Sequence, residues 1–444
     1  MTLLLFFSKL LFADESTNAD DLATNPTDTF SQITPSINLT WCPCLGKFEC
    51  AVLDVPLDYS NTTGARSFVT LLKIPATTTP YKGMVLTNPG GPGESAIDDL
   101  LNNGAYEASI FGSNCDFVAW EPRGIGYSIP ATNCSSSLTP IPGIQERSAG
   151  RSSNHSADLT GPFLRSIFFN DGYEGATCQT LTGGTNDAGP HMSTIYLVQD
   201  MLTIVDAYAS NPQSQGVKNA LLVNFWGFSY GTFVAQTFAP MYPDRVGRFV
   251  IDRVVDPDDY RSGNLLKNLE FTLFIAISRV RNAYDIFERF ENRAERLDVM
   301  KAEERGWENA TAISLALEGL KQFAHIVAYE PISGFPALAP VLLFMESASM
   351  NISKDRAIEW TRAVACSDMG NVLYNFTLQE LANVARRMEE QNYVGGGFWA
   401  SLRVACAGWG IEGKGRYTGA FGGVTQNPML FVSNTIDPGT PYYK

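Results

Sequence analysis

The chain has 444 residues, 45% of them hydrophobic and 18% charged, with a mean hydropathy of −0.06. That is the make-up of a globular protein able to bury a large core, and it excludes a disordered or fibrous chain. A formal charge of −14 and an isoelectric point near 4.8 argue against nucleic acid and anionic membrane as partners, since both would repel it.

In chain order, residues 1–13 hold two short apolar runs split by Ser8 and Lys9. They read as a short signal peptide whose basic residue falls inside the apolar body, with a flexible leader as the alternative. No apolar run reaches the length of about eighteen residues that a membrane-spanning helix needs. Residues 14–40, rich in Asp, Asn, Thr, Ser and Pro, read as a flexible leader. Sequons at Asn38, Asn61, Asn133, Asn154, Asn309, Asn351 and Asn375, with eight scattered cysteines, point to a secreted glycoprotein stapled by disulfides. Cys42, Cys44 and Cys50 lack a fourth ligand at finger spacing, so disulfide chemistry is expected there and no metal site is assigned.

Residues 41–259 read as the first part of a core. Two strand-like runs, 51–59 and 67–74, flank a polar turn and predict a hairpin. The apolar run 84–87 predicts a buried strand that feeds Asn88-Pro89-Gly90-Gly91-Pro92-Gly93, a turn able to bring backbone N–H groups against a ligand. Residues 116–120 predict another strand, ending in Glu121-Pro122-Arg123-Gly124, a turn to which no chemistry is assigned. A helix is expected over 194–209 and a strand over 220–226. Gly227-Phe228-Ser229-Tyr230-Gly231 then matches Gly-x-Ser-x-Gly, the strand-to-helix turn that exposes a nucleophilic serine. The following helix is expected to run until Pro240 disturbs it, and residues 248–252 predict the next strand. Strands alternating with helices imply a mostly parallel sheet.

Residues 260–423 change to helical apolar spacing with crowded charges, as expected of a helical lid inserted over the site. Residues 424–444 return to the core: 429–432 has a core-strand pattern and ends at Asn434-Thr435-Ile436-Asp437-Pro438. Gly408 to Lys414 has Walker A spacing but lacks the following Ser or Thr and a preceding strand, so no nucleotide or other cofactor is assigned.

A serine nucleophile needs a base, a residue orienting that base, and oxyanion donors. Ser229 is the nucleophile, Asp437 the orienting acid, and the oxyanion donors come from Tyr230 and from Gly90 or Gly91. His155, His191 and His325 all precede Asp437, whereas in α/β-hydrolases the order is Ser, acid, His.

The motifs Val55-Pro56-Leu57-Asp58-Tyr59, Asn88-Pro89-Gly90-Gly91-Pro92-Gly93, Trp120-Glu121-Pro122-Arg123-Gly124, Gly227-Phe228-Ser229-Tyr230-Gly231-Thr232, Pro243-Asp244-Arg245-Val246-Gly247-Arg248 and Val254-Val255-Asp256-Pro257 occur together in this order. Jointly they resemble the proline-iminopeptidase and tripeptidyl-aminopeptidase branch of the α/β-hydrolases in its secreted fungal and actinobacterial form. The resemblance implies a serine exopeptidase that releases short units from peptide N-termini under a helical lid, and a disulfide between Cys366 and Cys406. It places the catalytic histidine beyond the acid, so the chain reads as truncated within the end of its core, from a shortened gene model or a fragment. Departures are Glu121 for Asp, Arg253 for Gly, and Glu94 and Ala96 for small residues; Glu94 would either repel an oxyanion or hold a substrate ammonium. Two other readings stay open: an esterase, lactonase or thioesterase acting on a small metabolite, and an inactive binding protein with this fold.

Overall fold

The computed structural model describes residues 25–132, 134, 168, 172, 174–263, 356–370, 372–391, 396–433 and 440. Among these, one eight-stranded mixed sheet runs β1 (Cys42–Cys44), β2 (Phe48–Pro56), β3 (Arg66–Ile74), β5 (Asp116–Trp120), β4 (Met84–Asn88), β6 (Val223–Phe228), β7 (Val246–Asp252), β8 (Met429–Val432). The β1–β2–β3 meander pairs antiparallel and joins β5 antiparallel, while β5, β4, β6, β7 and β8 are parallel. The predicted hairpin is the β2–β3 pair.

Helices cover both faces, as a parallel sheet requires. Helix α2 (Ala96–Phe111) packs Ala96, Ile97 and Leu100 against Val85, Phe117 and Trp226. On the other face, α3 (Thr194–Ala209) and α4 (Tyr230–Met241) pack Val198, Met201, Phe233 and Phe238 against Leu86, Val118, Phe225 and Phe249. Further helices are α1 (Pro26–Ser31), α5 (Pro257–Ser262), α6 (Arg356–Met369), α7 (Leu378–Gln391) and α8 (Gly396–Ala407).

The order of the parallel strands reverses at β4. Strand β5 lies on one side of it, reached through α2, and β6, β7 and β8 extend on the other. In open α/β sheets ligands bind beyond the carboxyl ends of the strands at such a point. The pairing of Asn88 with Gly227 therefore sets the glycine turn after β4 beside the serine turn after β6.

Several sequence expectations need correction. Part of the expected flexible leader is folded: Asn25 caps α1, Pro26 opens it, and Phe30 and Leu39 are buried, because two apolar side chains suffice to anchor this short stretch to the core. The nucleophile strand starts at Val223, since Asn219 adopts φ 59° and residues 219–222 form a turn. Pro240 lies inside α4, tolerated one residue from its end. The expected core strand β8 pairs with β7 alone, and Leu430 and Phe431 are 57% and 56% exposed; it is an edge strand among the described residues. Three disulfides form, Cys44–Cys50, Cys134–Cys178 and Cys366–Cys406, the last as the resemblance implied. Cys42 and Cys115 remain thiols. No described helix is long and apolar enough to cross a membrane. Asn133, Asn154, Asn309 and Asn351 lie outside the described residues.

Arg253 has φ 60°, in the region that costs a residue with a Cβ about 1–2 kcal/mol, a position that suits the glycine implied there by the resemblance. Arg253→Gly is expected to leave stability unchanged or raise it by about 1 kcal/mol, read from the denaturant midpoint; a loss would mean that the arginine side chain outweighs its backbone cost.

Candidate active site

Ser229 caps α4 with φ 52° and ψ −117°, a strained turn held by its surroundings. Its N–H donates to the Asp252 carbonyl at the end of β7 (3.0 Å), and its own carbonyl accepts from the Thr232 N–H (2.9 Å) and the Thr232 hydroxyl (2.6 Å). The glycines on either side permit the bend. A Cβ on Gly227 would lie 2.6 Å from the Gly231 carbonyl oxygen, and one on Gly231 would lie 2.7 Å from the Asn88 carbonyl oxygen. Strain of this kind, about 1–3 kcal/mol, persists only where the fold over-determines it. The serine is half-buried.

The loop after β4 is pressed onto this turn. A Cβ on Gly90 would meet the Phe228 carbonyl oxygen at 2.6 Å, the Ser229 Cβ at 3.0 Å and the Tyr230 nitrogen at 3.1 Å. Gly90 and Ser229 are thus brought together with Tyr230, with Gly91 next along the loop. The Gly90 N–H donates to Asn88 Oδ1 at 3.1 Å, so Gly90 serves here by close approach. A small cavity bounded by Asn88, Gly90, Gly93, Arg123, Met192 and Tyr230 lies behind this loop.

Asp437 lies outside the described residues, as do His155 and His325. His191 is fully buried, with Nε2 against the Thr185 carbonyl (3.1 Å) and its ring edge-on to Tyr196. Burial holds its pKa below the ordinary histidine value. Among the described residues, no histidine hydrogen-bonds to Ser229.

The structure adds Thr194, Asp368 and Tyr260, which sequence reasoning missed. Tyr230 is buried, and its hydroxyl meets that of Thr194. The Thr194 hydroxyl and N–H both donate to the Asp368 carboxylate, each at 2.7 Å, and the Tyr260 hydroxyl donates to it at 3.3 Å. Burial pushes the Asp368 carboxyl up to about 7, and the donors from Thr194 and Tyr260, with the charge of Arg416, draw it partly back. The sequence signals Asp368 only through its place two residues after Cys366, the cysteine expected to pair with Cys406. Glu121 is also fully buried; its Oε2 accepts the Ile97 N–H at 3.1 Å, at the start of α2, and desolvation pushes it up to about 8. Glu94, at the end of the glycine loop, is pushed up to about 7 by burial and by the charge of Asp99.

For Asp368 and Glu121 the folded pKa lies above the unfolded one. Each contributes stability that is complete below the unfolded pKa and is lost as pH rises through the folded value. The free energy of unfolding is therefore expected to fall between about pH 4 and pH 8 from these two groups. Asp368→Asn and Glu121→Gln should each flatten that slope in urea titrations at pH 5 and 8; an unchanged slope in both variants would remove the burial argument.

Doubly wound sheet, strained serine turn and glycine loop at the strand-order reversal define an α/β-hydrolase with a nucleophile elbow. Residues 392–444 match the family model described as TAP-like protein. The chain is 27% identical over 232 residues to serine protease Hip1 of Mycobacterium tuberculosis, covering 49% of this chain and 40% of the relative. It is 28% identical over 221 residues to the tripeptidyl aminopeptidase of Streptomyces lividans, covering 47% and 36%. A shorter match, 37% over 90 residues, covers 19% of this chain and 16% of carboxylesterase B of M. tuberculosis. Among solved structures, the proline iminopeptidase of Mycobacterium smegmatis aligns over 60% of this chain and 66% of its own at 12% identity, with a TM-score of 0.24. The chain has the α/β-hydrolase fold and is similar over about half of its length to serine protease Hip1 and to the Streptomyces tripeptidyl aminopeptidase, and its match spans less than half the length of those curated relatives.

Proposed function

We propose that this chain is a secreted serine hydrolase, a peptidase that releases short units from peptide N-termini through an acyl-enzyme on Ser229. The observation that supports it most is the elbow itself, a strained Ser229 pressed between the glycine loop and Tyr230. Ser229 Oγ attacks the scissile carbonyl as its proton passes to a base that Asp437 orients, the Gly91 and Tyr230 N–H groups receive the oxyanion, and the C–N bond breaks as that proton is returned to the departing amine, leaving the acyl-enzyme. The order of residues in related hydrolases puts that base, a histidine, after the acid. His191 is committed to Thr185 and is not assigned the role. The peptidase reading draws on the two relatives named for peptide cleavage, and secretion on the three disulfides.

The match to a carboxylesterase favours one second reading, hydrolysis of small esters. A fluorophosphonate probe tests the shared chemistry: labelling at Ser229 is expected, and a folded protein that never labels there overturns the hydrolase assignment. Tripeptidyl and aminoacyl anilides with free and acetylated amines then separate the readings. An exopeptidase loses turnover on acetylation, whereas an esterase turns over amine-free acyl esters and ignores the anilides.

A further inference from the structure

Helix α6 touches the glycine loop directly and reaches Tyr230 through Thr194. On the loop side, the Thr361 hydroxyl donates to the Pro92 carbonyl at 2.7 Å. The two backbones there are in direct contact, since a Cβ on Gly93 would lie 2.4 Å from the Thr361 nitrogen and 2.7 Å from the Trp360 carbonyl carbon. Seven residues further along the helix, about 10.5 Å at the α-helical rise, Asp368 receives the Thr194 N–H and hydroxyl, and the Thr194 hydroxyl meets that of Tyr230. We infer that Thr361 and Asp368 are positioning residues of the oxyanion hole, with α6 a strut that sets the spacing between the glycine loop and the Tyr230 N–H.

The physical need is plain in the loop. Gly90, Gly91 and Gly93 have φ values of 110°, 102° and 92°, conformations that glycine permits but does not enforce. Oxyanion donors act only when held at about 2.7–3.1 Å from the developing charge without reorganising. Such a loop takes its position from what it packs against, and among the described residues its contacts include the Phe228–Tyr230 turn on one side and α6 on the other. The helix is itself fixed. The Cys366–Cys406 disulfide ties it to α8, the Trp360 Nε1–H donates to the Thr132 carbonyl at 3.3 Å, and Glu359 accepts the Cys134 N–H at 2.6 Å. A lid helix with no part in the site would need no buried carboxylate reaching through a threonine to the residue after the nucleophile.

The inference rests on the hydrolase reading, and its test separates the two. Thr361→Val, Thr361→Ser and Asp368→Asn are made in the full chain. Three quantities are measured: kcat and KM per titrated Ser229 on an activated ester, affinity for a trifluoromethyl ketone, and amide exchange over residues 88–94 and 229–233. Thr361→Val and Asp368→Asn are expected to lower kcat about 10- to 100-fold with KM within about twofold, to weaken the ketone in parallel and to speed exchange in both segments. Thr361→Ser, which keeps the hydroxyl, restores kcat. A merely structural role would lower the number of titratable sites while leaving kcat per site unchanged, and that result overturns the inference. If Asp368→Asn fails to fold, Thr361→Val decides alone. If the wild-type chain neither turns over nor labels, the hydrolase reading falls, and unchanged exchange in the two segments separately overturns the strut.

Discussion

Ser229→Ala is expected to abolish fluorophosphonate labelling and to lower kcat by a factor on the order of 10⁴–10⁶, the range seen when a triad nucleophile is removed. The fold should survive. Alanine occupies φ 52° and ψ −117° with the same Cβ as serine, and the bonds that hold the turn run from the backbone of Ser229 to Asp252 and Thr232. Loss of turnover with an unchanged melting temperature and retained binding of the uncleaved substrate is the expected pattern. Asp437→Asn should cost less than the loss of the nucleophile at its fullest, on the order of 10⁴, because the nucleophile and oxyanion donors remain. A Ser229→Ala variant that still cleaves substrate would place the chemistry elsewhere.

Arg123→Met is expected to destabilise the fold by about 3–5 kcal/mol, the cost of leaving a buried charge without its partner. The arginine is 2% exposed and Asp200 fully buried. The Arg123 Nε–H donates to Asp200 Oδ2 at 2.9 Å and a second guanidinium nitrogen to Oδ1, while the remaining donors reach the Leu57 carbonyl at 2.6 Å and the Pro56 carbonyl at 3.3 Å. The Tyr59 hydroxyl adds a bond to Asp200 at 2.8 Å. One side chain thus joins the end of β2, the turn after β5 and the middle of α3. Pairing Arg123→Met with Asp200→Leu should recover much of the loss, since an apolar pair of similar volume can replace a buried ion pair at little cost. Urea midpoints of the two single variants and the double variant test this; additive losses would refute the pairing.

The arginine also illustrates how far sequence reading reaches. Val55-Pro56-Leu57-Asp58-Tyr59 and Trp120-Glu121-Pro122-Arg123-Gly124 were visible as separate motifs, and no chemistry was given to the second. Folding shows them to be two halves of one contact. Asp200 sat unremarked at an inward position of an amphipathic helix. Conversely, helix α3 and strands β5 and β8 were predicted with the bounds they have, because each is a run whose apolar period matches its own geometry and whose ends are marked by turn residues.

From local information alone, the sequence determined the alternation of strands and helices, the serine turn with its obligatory small neighbours, and the glycine loop. All of these depend on backbone sterics and apolar periodicity within about twenty residues, which is why they can be read along the chain. Only the tertiary structure decided that the glycine loop lies on the serine turn, that Asp368 reaches Tyr230 through Thr194, and that β8 is an exposed edge among the described residues. Those outcomes come from strand order and from contacts across 36 to 174 positions. A buried carboxylate chooses its partners by where desolvation leaves it, and nothing in its sequence neighbours records that place.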